Sequence, residues 1–343
     1  MAISAVLPLK ASGSYDVNDL KRAHILFTSL QSFVAAGTIS EIFVLVPAAE
    51  VELVQQEYAC WQSLNIKVMA EDDLLPQFKK YPKMRGWRKQ QLLKIAIANL
   101  VENEFYLTLD ADVICLKPLD ESKLIIDGKA LLQYEQRAQH PKWWKASARI
   151  LKMNANVGDP QLGMTVTPAI LATDIVKGLM QQLTPKSAKQ SWVDWLCQLH
   201  LPKHPKNWLL HRFLMLKWTE YSLYYLCAHK LGLLDKYHVT AGTTELPQRL
   251  LVHESHPYEQ WDVARSFSNN CPGLFCVVGS KTFLPGFNIK ADSAIRDERT
   301  NKITAKGNVN CYDNDNKKCG NPIIWHVEIQ EGKDRSTGVG PKK

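Results

Sequence analysis

The sequence lacks a long apolar run. No uncharged stretch approaches the roughly 18 apolar residues that a membrane-spanning helix needs, so no such helix is predicted. The most apolar stretch, residues 209–234, carries Arg212, Lys217 and Glu220 and is predicted to be buried helix instead. The first ten residues lack a basic segment followed by an apolar core, so we expect no targeting segment.

The sequence also lacks a metal-binding cysteine pattern. Its eight cysteines are scattered, and four and seven residues separate the two close pairs, Cys271/Cys276 and Cys311/Cys319, which is poor spacing for zinc. Free, buried thiols are therefore predicted, with a disulfide between Cys311 and Cys319 as the alternative. Free thiols fit a reducing compartment, so the predicted location is the cytoplasm.

Several nucleotide-binding and hydrolase motifs are absent as well. There is no Gly-x-Gly-x-x-Gly after a strand, no phosphate-binding P-loop and no Gly-x-Ser-x-Gly elbow. The net charge of +8 suits a phosphate-bearing ligand, an anionic membrane surface or nucleic acid. Because the bases are not concentrated in one stripe and no RNA-binding or helix-turn-helix signature is present, we expect no nucleic-acid binding.

The first third of the sequence contains an alternation of strand and helix signals. Short apolar runs alternate with amphipathic stretches, which predicts an α/β fold with a mostly parallel sheet flanked by helices. The predicted strands are residues 3–9, 41–46, 66–69, 105–109, 130–133 and 163–167, and the predicted helices are 16–36, 51–64, 86–101, 191–199 and 219–230. Polar composition from residue 291 onward predicts a partly disordered C-terminal extension, 291–343.

Two carboxylates follow the apolar strand FYLTL at residues 105–109. A strand alternates its side chains, so Asp110 and Asp112 are expected to lie close together on one side of the chain. Ligands of open α/β sheets bind at the carboxyl edge, where this strand ends. Paired carboxylates there are suitable hard-oxygen ligands for Mg²⁺ or Mn²⁺ bridging a diphosphate. A surface turn with two acids is the alternative.

Two bases begin the helix that precedes this strand. Arg88 and Lys89 are expected at its N-terminal end, which in a βαβ arrangement lies at the same edge of the sheet. Lys89 falls on the apolar stripe of this helix. Either base could therefore reach a phosphate, helped by the helix N-terminus. The alternative is a pair of solvated bases at a helix start.

The run from Arg88 through Leu119 resembles glycosyltransferases of the GT-A fold, in particular the glycogenin and lipopolysaccharide galactosyltransferase group. The wider sequence resembles a bacterial family of uncharacterised glycosyltransferases, through GWRKQQLLKI, LTLDADV, LGMTVTP, WTEYSLYY and PGLFCVVGS. This resemblance implies a GT-A-type catalytic domain over residues 1–290. Within it, residues 1–120 form the nucleotide-binding half and residues 121–290 form a helical, acceptor-side half.

The resemblance also implies a nucleotide-sugar donor and a divalent metal, Mn²⁺ or Mg²⁺. It implies that Asp112 is a direct metal ligand and that Asp110 contacts ribose or metal. Residues 10–16, which include Lys10 and Asp16, would border the nucleotide. A late histidine supplies a third ligand in the glycogenin-like group. His253 is preferred here over His256 because it follows an apolar run.

A further carboxylate, Glu220, is expected in the first turn of a helix capped by Thr219, on the same face as several apolar residues. It could accept a proton from the acceptor hydroxyl in an inverting reaction, or bind the acceptor sugar. A first-turn Glu favoured by the helix dipole is the alternative. Asp194, between two tryptophans, and Asp174 are weaker candidates for a catalytic role.

These features predict a metal-dependent glycosyltransferase that acts on a glycan or glycolipid acceptor, as in glycan, lipopolysaccharide or capsule synthesis. A nucleotidyltransferase with a related sheet, or a sugar- or nucleotide-binding module without turnover, are the alternatives. A lipid-linked acceptor would bring the basic and aromatic stretch 200–212 to an anionic membrane, so peripheral membrane contact is expected in that case, and a solvated loop otherwise.

Overall fold

The computed structural model describes residues 2–11, 19–164, 167–185, 190–201, 209–241, 250–256, 262–268 and 271–278, and the backbone of five strands between 288 and 327. For residues 253–256 it likewise describes only the backbone. The chain divides into a larger unit, 1–261 with 269–283, and a smaller unit, 262–268 with 284–343.

The larger unit alternates strands and helices. Its strands are β1 (Ile3–Pro8), β2 (Ile39–Val46), β3 (Ile66–Ala70), β4 (Phe105–Thr108), β5 (Val113–Cys115), β6 (Ile125–Ile126), β7 (Lys129–Leu132), β8 (Glu135–Gln136), β9 (Leu162–Gly163), β10 (Ala169–Ala172), β11 (His238–Thr240), β12 (Leu250–His256) and β13 (Gly273–Val278). Its helices are α1 (Asp19–Phe33), α2 (Val51–Tyr58), α3 (Glu71–Leu74), α4 (Gly86–Ala96), α5 (Glu121–Leu124), α6 (Pro141–Leu151), α7 (Thr173–Leu183), α8 (Trp192–Leu199), α9 (Leu210–Phe213), α10 (Glu220–Leu231) and α11 (Leu234–Tyr237).

A five-stranded sheet forms the centre of this unit, in the order β10-β4-β1-β2-β3. The pairs β4/β1, β1/β2 and β2/β3 are parallel, and β10 is antiparallel to β4. Every residue of β1 and β4 is buried, as expected for strands covered on both faces. The predicted α/β fold with a mostly parallel, helix-flanked sheet is confirmed.

A second sheet, β12-β13-β5, continues from the end of β4. The chain leaves β4, turns through Asp110–Asp112 and enters β5, which pairs antiparallel with β13. The backbone N–H of Val278 at the end of β13 donates to the carbonyl of Asp112 at 2.9 Å. The turn is therefore fixed on both sides by strands. Two smaller sheets, β11-β7-β6 and β8-β9, are formed by strands between residues 125 and 240.

The predicted buried helix at 209–234 was only half right. The structure has the short helix α9 and then α10, which begins at a Thr219 N-cap and ends at Gly232 in a left-handed conformation. Helix α10 is buried along most of its length, whereas Leu209, Leu210, Phe213 and Leu214 are exposed. Within the described residues, no helix is long and apolar enough to cross a membrane.

In the residues that the structure describes, the smaller unit contains one short helix and five strands, α12 (Val263–Ser266), β14 (Asn288–Lys290), β15 (Ser293–Asp297), β16 (Lys302–Lys306), β17 (Asn310–Tyr312) and β18 (His326–Val327). β14 pairs with β17, and β15, β16 and β18 form an antiparallel sheet. The predicted C-terminal extension, 291–343, thus contains strands. The rest of that extension, including Cys319, lies outside the described residues, and the domain boundary at residue 290 stays a prediction.

Candidate active site

Asp110 and Asp112 lie in the turn between β4 and β5, at the carboxyl end of a parallel strand that has neighbours on both sides. The turn is closed by a hydrogen bond from the N–H of Val113 to the carbonyl of Asp110, at 3.1 Å. Their proximity therefore comes from a turn and not, as the sequence suggested, from strand alternation. The Asp110 side chain is 34% exposed and that of Asp112 is 15% exposed.

A buried lysine connects Asp110 to Glu220. The ammonium of Lys94, whose side chain is only 3% exposed, lies 2.8 Å from Asp110 Oδ1 and 3.3 Å from Glu220 Oε1. It also donates to the hydroxyl of Tyr221 at 3.3 Å. Burial alone would lower the pKa of Lys94, but Asp110, Tyr221 and Glu220 outweigh it and hold that pKa well above its usual value. Lys94 is therefore charged.

Glu220 occupies the first turn of α10, as predicted. The Thr219 hydroxyl accepts from the N–H of Ser222 at 3.2 Å, and the Ser222 hydroxyl accepts from the N–H of Thr219 at 3.2 Å, which forms a capping box. The neighbouring Tyr221 hydroxyl contacts the Thr108 hydroxyl of β4 at 2.8 Å. Burial raises the pKa of Glu220, and Lys94 only partly offsets that effect.

A second cation, Arg22 of α1, holds Asp112. Its guanidinium lies 3.2 Å from Asp112 Oδ2 and 3.0 Å from Asp19 Oδ1, and it donates to the carbonyl of Val278 at 3.0 Å. Burial, and then the negative charge of Asp110, raise the pKa of Asp112 to about 6, and Arg22 counteracts them. The two carboxylates therefore repel one another across a partly open turn.

This donor set suits a divalent cation. Two mutually repelling carboxylates are hard oxygen ligands of the kind that Mg²⁺ and Mn²⁺ take, and such ions fill their other positions with water and substrate phosphates. In the part of the chain that the structure describes, no group of three or more His, Cys, Asp or Glu side chains is arranged around a metal site. Asp110 and Asp112 would thus form only part of a metal's coordination shell.

The predicted phosphate-binding base Arg88 is buried between other elements. Its Nη1 donates to the carbonyl of Trp218 and its Nη2 to the carbonyl of Leu216, both at 2.5 Å. Its guanidinium lies over the rings of Trp87 and Trp218, at 4.3 and 5.1 Å from their centroids. These contacts tie the start of α4 to the segment leading into α10. A role for Arg88 with phosphate stays a prediction.

The second predicted phosphate-binding base, Lys89, is paired with Glu71 at the start of α3. Its ammonium also lies 5.1 Å from the centre of the Phe78 ring. Neither Arg88 nor Lys89 contacts Asp110 or Asp112 among the interactions of the described residues, whereas Lys94 does. The base of this helix that contacts Asp110 is therefore Lys94, about a turn and a half beyond Lys89.

The structure describes the remaining predicted site residues only in part. Lys10 is exposed just after β1, and its charge lowers the pKa of Asp19, which burial raises. Asp16 lies outside the described residues. His253 and His256 lie in β12, where their side chains are not described. His253 follows Val252 at a bulge in the pairing of β12 with β13, which resumes at Ser255. His256 is paired with Val278, and the N–H of Val278 donates to the carbonyl of Asp112.

The two weaker catalytic candidates have local partners. Asp194 accepts from the Tyr81 hydroxyl at 3.0 Å and from Ser191 at 2.9 Å in the first turn of α8. Asp174 accepts from the Tyr237 hydroxyl at 2.6 Å. These contacts assign Asp194 to capping and packing of α8, and a catalytic role for it stays a prediction.

Sequence reasoning missed Lys94 and Arg22. Lys94 carries a readable signal, since it is the one charged residue in the apolar run QLLKIAIANL, where a lone base requires a partner if the run is buried. Arg22 carries no such signal. It follows Lys21 in an ordinary amphipathic helix, and only the fold brings it to Asp112.

The sequence matches the model of a family of unknown function, DUF6492, over residues 1–292. The chain belongs to this family. No curated protein matches the DUF6492 chain. Its fold is similar to solved structures of glycosyltransferases at low identity. Mouse xyloside xylosyltransferase 1 has a TM-score of 0.47 and 12% identity, over 83% of this chain and all of that one.

Two more solved structures show how partial the likeness is. The bifunctional glycosyltransferase WbbM has a TM-score of 0.42 and 12% identity, over 80% of this chain and 45% of that one. Glucosyl-3-phosphoglycerate synthase from Mycobacterium tuberculosis, in complex with Mn²⁺, UDP-glucose and phosphoglyceric acid, has a TM-score of 0.31 and 11% identity, over 51% and 57% of the two chains. At these scores the likeness assigns no activity to the DUF6492 chain.

Proposed function

We propose that this protein is a metal-dependent glycosyltransferase of the GT-A type that uses a nucleotide-sugar donor. The observation that carries the proposal is the Asp110/Asp112 pair at the carboxyl end of β4, joined to Glu220 through the buried Lys94. Two carboxylates that would hold a metal–diphosphate thus lie near a third carboxylate, Glu220, on another element. Such an arrangement suits a reaction between two substrates.

In this proposal Asp110 and Asp112 hold a divalent cation, Mn²⁺ or Mg²⁺. The bound ion would supply charge neutralisation for the nucleoside diphosphate that leaves. Asp112 would be a direct ligand of the metal, and Asp110 would contact the ribose or the metal. Arg22 and Asp19 fix Asp112 from the side of α1. Lys10 and Asp16, in the stretch after β1, border the nucleotide, and Arg88 and Lys89 remain candidates for the diphosphate.

A late histidine completes the proposed metal shell. The pairing of β12 with β13 brings the backbone of His256 next to Val278, which contacts the Asp112 turn, whereas His253 lies at the bulge. We infer that His253 and His256 are both candidates for the third metal ligand, and that the pairing of β12 with β13 favours His256.

Glu220 is the proposed group on the acceptor side. In the reaction an acceptor oxygen forms a bond to the sugar C1 while the bond from C1 to the diphosphate oxygen breaks. In an inverting reaction Glu220 would take the proton that the acceptor loses. Burial raises the pKa of Glu220, which makes it a stronger base, while Lys94 keeps its carboxylate oriented. Asp194 is a second candidate of lower rank.

The acceptor class follows from the resemblance and is part of the proposal. It is a glycan or glycolipid, of the kind used in glycan, lipopolysaccharide or capsule synthesis, and the enzyme would act in the cytoplasm. Residues 1–290 would form the catalytic domain.

Thermal unfolding with a panel of nucleotide-sugars, with Mn²⁺ or with a chelator, tests the proposal. A ligand that binds only the folded state raises the midpoint, and at 100 times its dissociation constant it adds about 2.7 kcal/mol. We expect a metal-dependent shift with one nucleotide-sugar. Asp112→Asn should abolish that shift, and Glu104→Gln, an exposed acid at the opposite end of β4, should preserve it.

Two outcomes would contradict the proposal. A shift of the midpoint that persists with the chelator would contradict a role for the metal. A shift that persists in Asp112→Asn would contradict Asp112 as its ligand. Release of pyrophosphate from a nucleoside triphosphate and a sugar phosphate would instead indicate a nucleotidyltransferase. Donor binding without hydrolysis or transfer across an acceptor panel would indicate a binding module.

A further inference from the structure

Three separate stretches of the sequence contain no acidic residue. Residues 74–101, 136–158 and 195–219 carry seven, five and four Lys or Arg residues, respectively, and no Asp or Glu. The chain as a whole has 34 acidic residues among 343, about one in ten. Each stretch therefore carries a local excess of positive charge, although no single one forms a recognisable basic motif.

The fold brings these three stretches together around the start of α4. The ring of Trp87 in α4 lies 6.4 Å from the ring of Trp143 in α6, measured between centroids. Its neighbour Arg88 donates to the carbonyls of Leu216 and Trp218, in the segment between α9 and α10. Parts of all three stretches thus share one region of the larger unit.

The exposed side of α6 is a row of bases. Lys142, Lys145, Arg149 and Lys152 are exposed and recur at helical spacing, while Trp144, Ala148 and Leu151 on the other side are buried. The segment before α4 adds further exposed bases, which are Lys79, Lys80, Lys83 and Arg85. The sequence predicted no concentrated basic stripe, and the fold assembles one.

A group of exposed, large apolar side chains lies in and around α9, just before the segment whose Leu216 and Trp218 carbonyls accept hydrogen bonds from Arg88. Leu209, Leu210 and Phe213 are 51%, 72% and 61% exposed, and Leu214 is 39% exposed. Together with Trp87, which is 49% exposed, they form what we call the apolar patch. The exposed base Lys217 follows these apolar residues in the chain. Apolar side chains in water are unfavourable unless something covers them.

We propose that the apolar patch and the row of bases on α6 dock the protein on an anionic membrane surface. Apolar side chains that insert among lipid headgroups and bases that meet anionic lipids are the two components of interfacial binding. Nucleic acid would use the bases but would leave the exposed leucines without a partner. The inference is independent of the proposed transferase activity, because none of these side chains belongs to the Asp110–Lys94–Glu220 site.

Co-sedimentation of the full chain with vesicles tests this proposal. Vesicles of equal parts phosphatidylcholine and phosphatidylglycerol should bind the protein, and phosphatidylcholine alone should not. Binding should weaken with added salt, because salt screens surface charges. Each base near an anionic surface strengthens binding about fivefold, so Lys142→Glu/Lys145→Glu should weaken it by well over tenfold.

A matched pair of variants separates the patch from general hydrophobicity. Leu210→Ser/Phe213→Ser should lose vesicle binding, whereas Leu53→Ser/Leu100→Ser, which changes two exposed leucines elsewhere, should keep it. No binding to either vesicle, or equal binding to both, would overturn the proposal. Tighter binding to a single-stranded oligonucleotide that the Leu210→Ser/Phe213→Ser variant retains would also overturn it, in favour of a nucleic-acid surface.

Discussion

The two halves of helix α4 carry bases in opposite situations. At its start, Arg88 donates to two backbone carbonyls and Lys89 pairs with Glu71. Further along, Lys94 is buried between Asp110 and Glu220. The sequence pointed to the first two as functional, and the structure places the third at the carboxylates. Arg88 and Lys94 are both buried, but Arg88 has backbone carbonyls as partners, whereas Lys94 has two carboxylates. A buried base requires partners, and the carboxylate partners of Lys94 identify the candidate site.

Among the variants proposed here, Lys94→Met should cause the largest loss of stability. Removal of the cation leaves the buried Glu220 and the neighbouring Asp110 without the ammonium that contacts both, so the free energy of unfolding should fall by about 3–5 kcal/mol. Denaturant unfolding measures this. In the double variant Lys94→Met/Glu220→Gln, part of the loss should be recovered, because the two residues interact directly. A loss of stability below about 1 kcal/mol for Lys94→Met would contradict the conclusion that Lys94, unlike the bases at the start of α4, depends on its carboxylate partners.

Arg88→Met should destabilise the protein by about 3 kcal/mol, because two charge-assisted hydrogen bonds to carbonyls are lost. If these two carbonyls are the only partners that matter, the effect of Arg88→Met is confined to stability. Titration of the folded variant with a nucleoside and with its diphosphate should give the same ratio of affinities as the wild type. If the variant instead loses about tenfold in affinity for the diphosphate alone, the phosphate role predicted from the sequence is correct.

A pH titration sharpens the contrast between buried bases with and without a carboxylate partner. Burial lowers the pKa of His238 to about 4. Its Nδ1 faces the carbonyl of Ala130 at 3.2 Å and must donate, so Nε2 accepts from the Tyr224 hydroxyl at 2.6 Å. In the unfolded chain the pKa of a histidine is about 6.5. The stability that the buried, neutral His238 contributes is therefore fully present above that pH and is lost as the pH falls towards 4.

The expected loss over that range is about 2–3 kcal/mol for His238. Unfolding free energies at pH 7 and pH 4.5 should differ less in His238→Gln than in the wild type. His211→Gln, which changes an exposed histidine, is the control and should retain the full difference. An unchanged difference in His238→Gln would assign the acid sensitivity to other groups.

Lys89→Ala should cause the smallest loss of stability. Its partly exposed pair with Glu71 should contribute less than about 1 kcal/mol to stability. The same titration as for Arg88 tests its predicted contact with phosphate. Weaker binding of the diphosphate with unchanged binding of the nucleoside would support that contact, and equal changes in both would exclude it.

Much of the fold could be predicted because local patterns specify it. The apolar runs that became β1 to β4 and the amphipathic stretches that became α1, α2 and α4 are readable one segment at a time. Thr219 as a cap, and with it Glu220 in the first turn of α10, is equally local. Residues 209–214 were misread because apolar composition predicts burial, whereas exposure depends on what packs against the segment.

The sequence by itself determined the α/β class, the position of Asp110 and Asp112 at the end of a buried strand, and Glu220 at a helix start. Each rests on hydrophobic periodicity, strand-end position or capping, which act within a dozen residues. Only the tertiary structure decided that Lys94 and Arg22 hold those carboxylates, and that three acid-free stretches meet at the start of α4. Those contacts join residues about 16 to 130 positions apart, because charges interact through space and not along the chain.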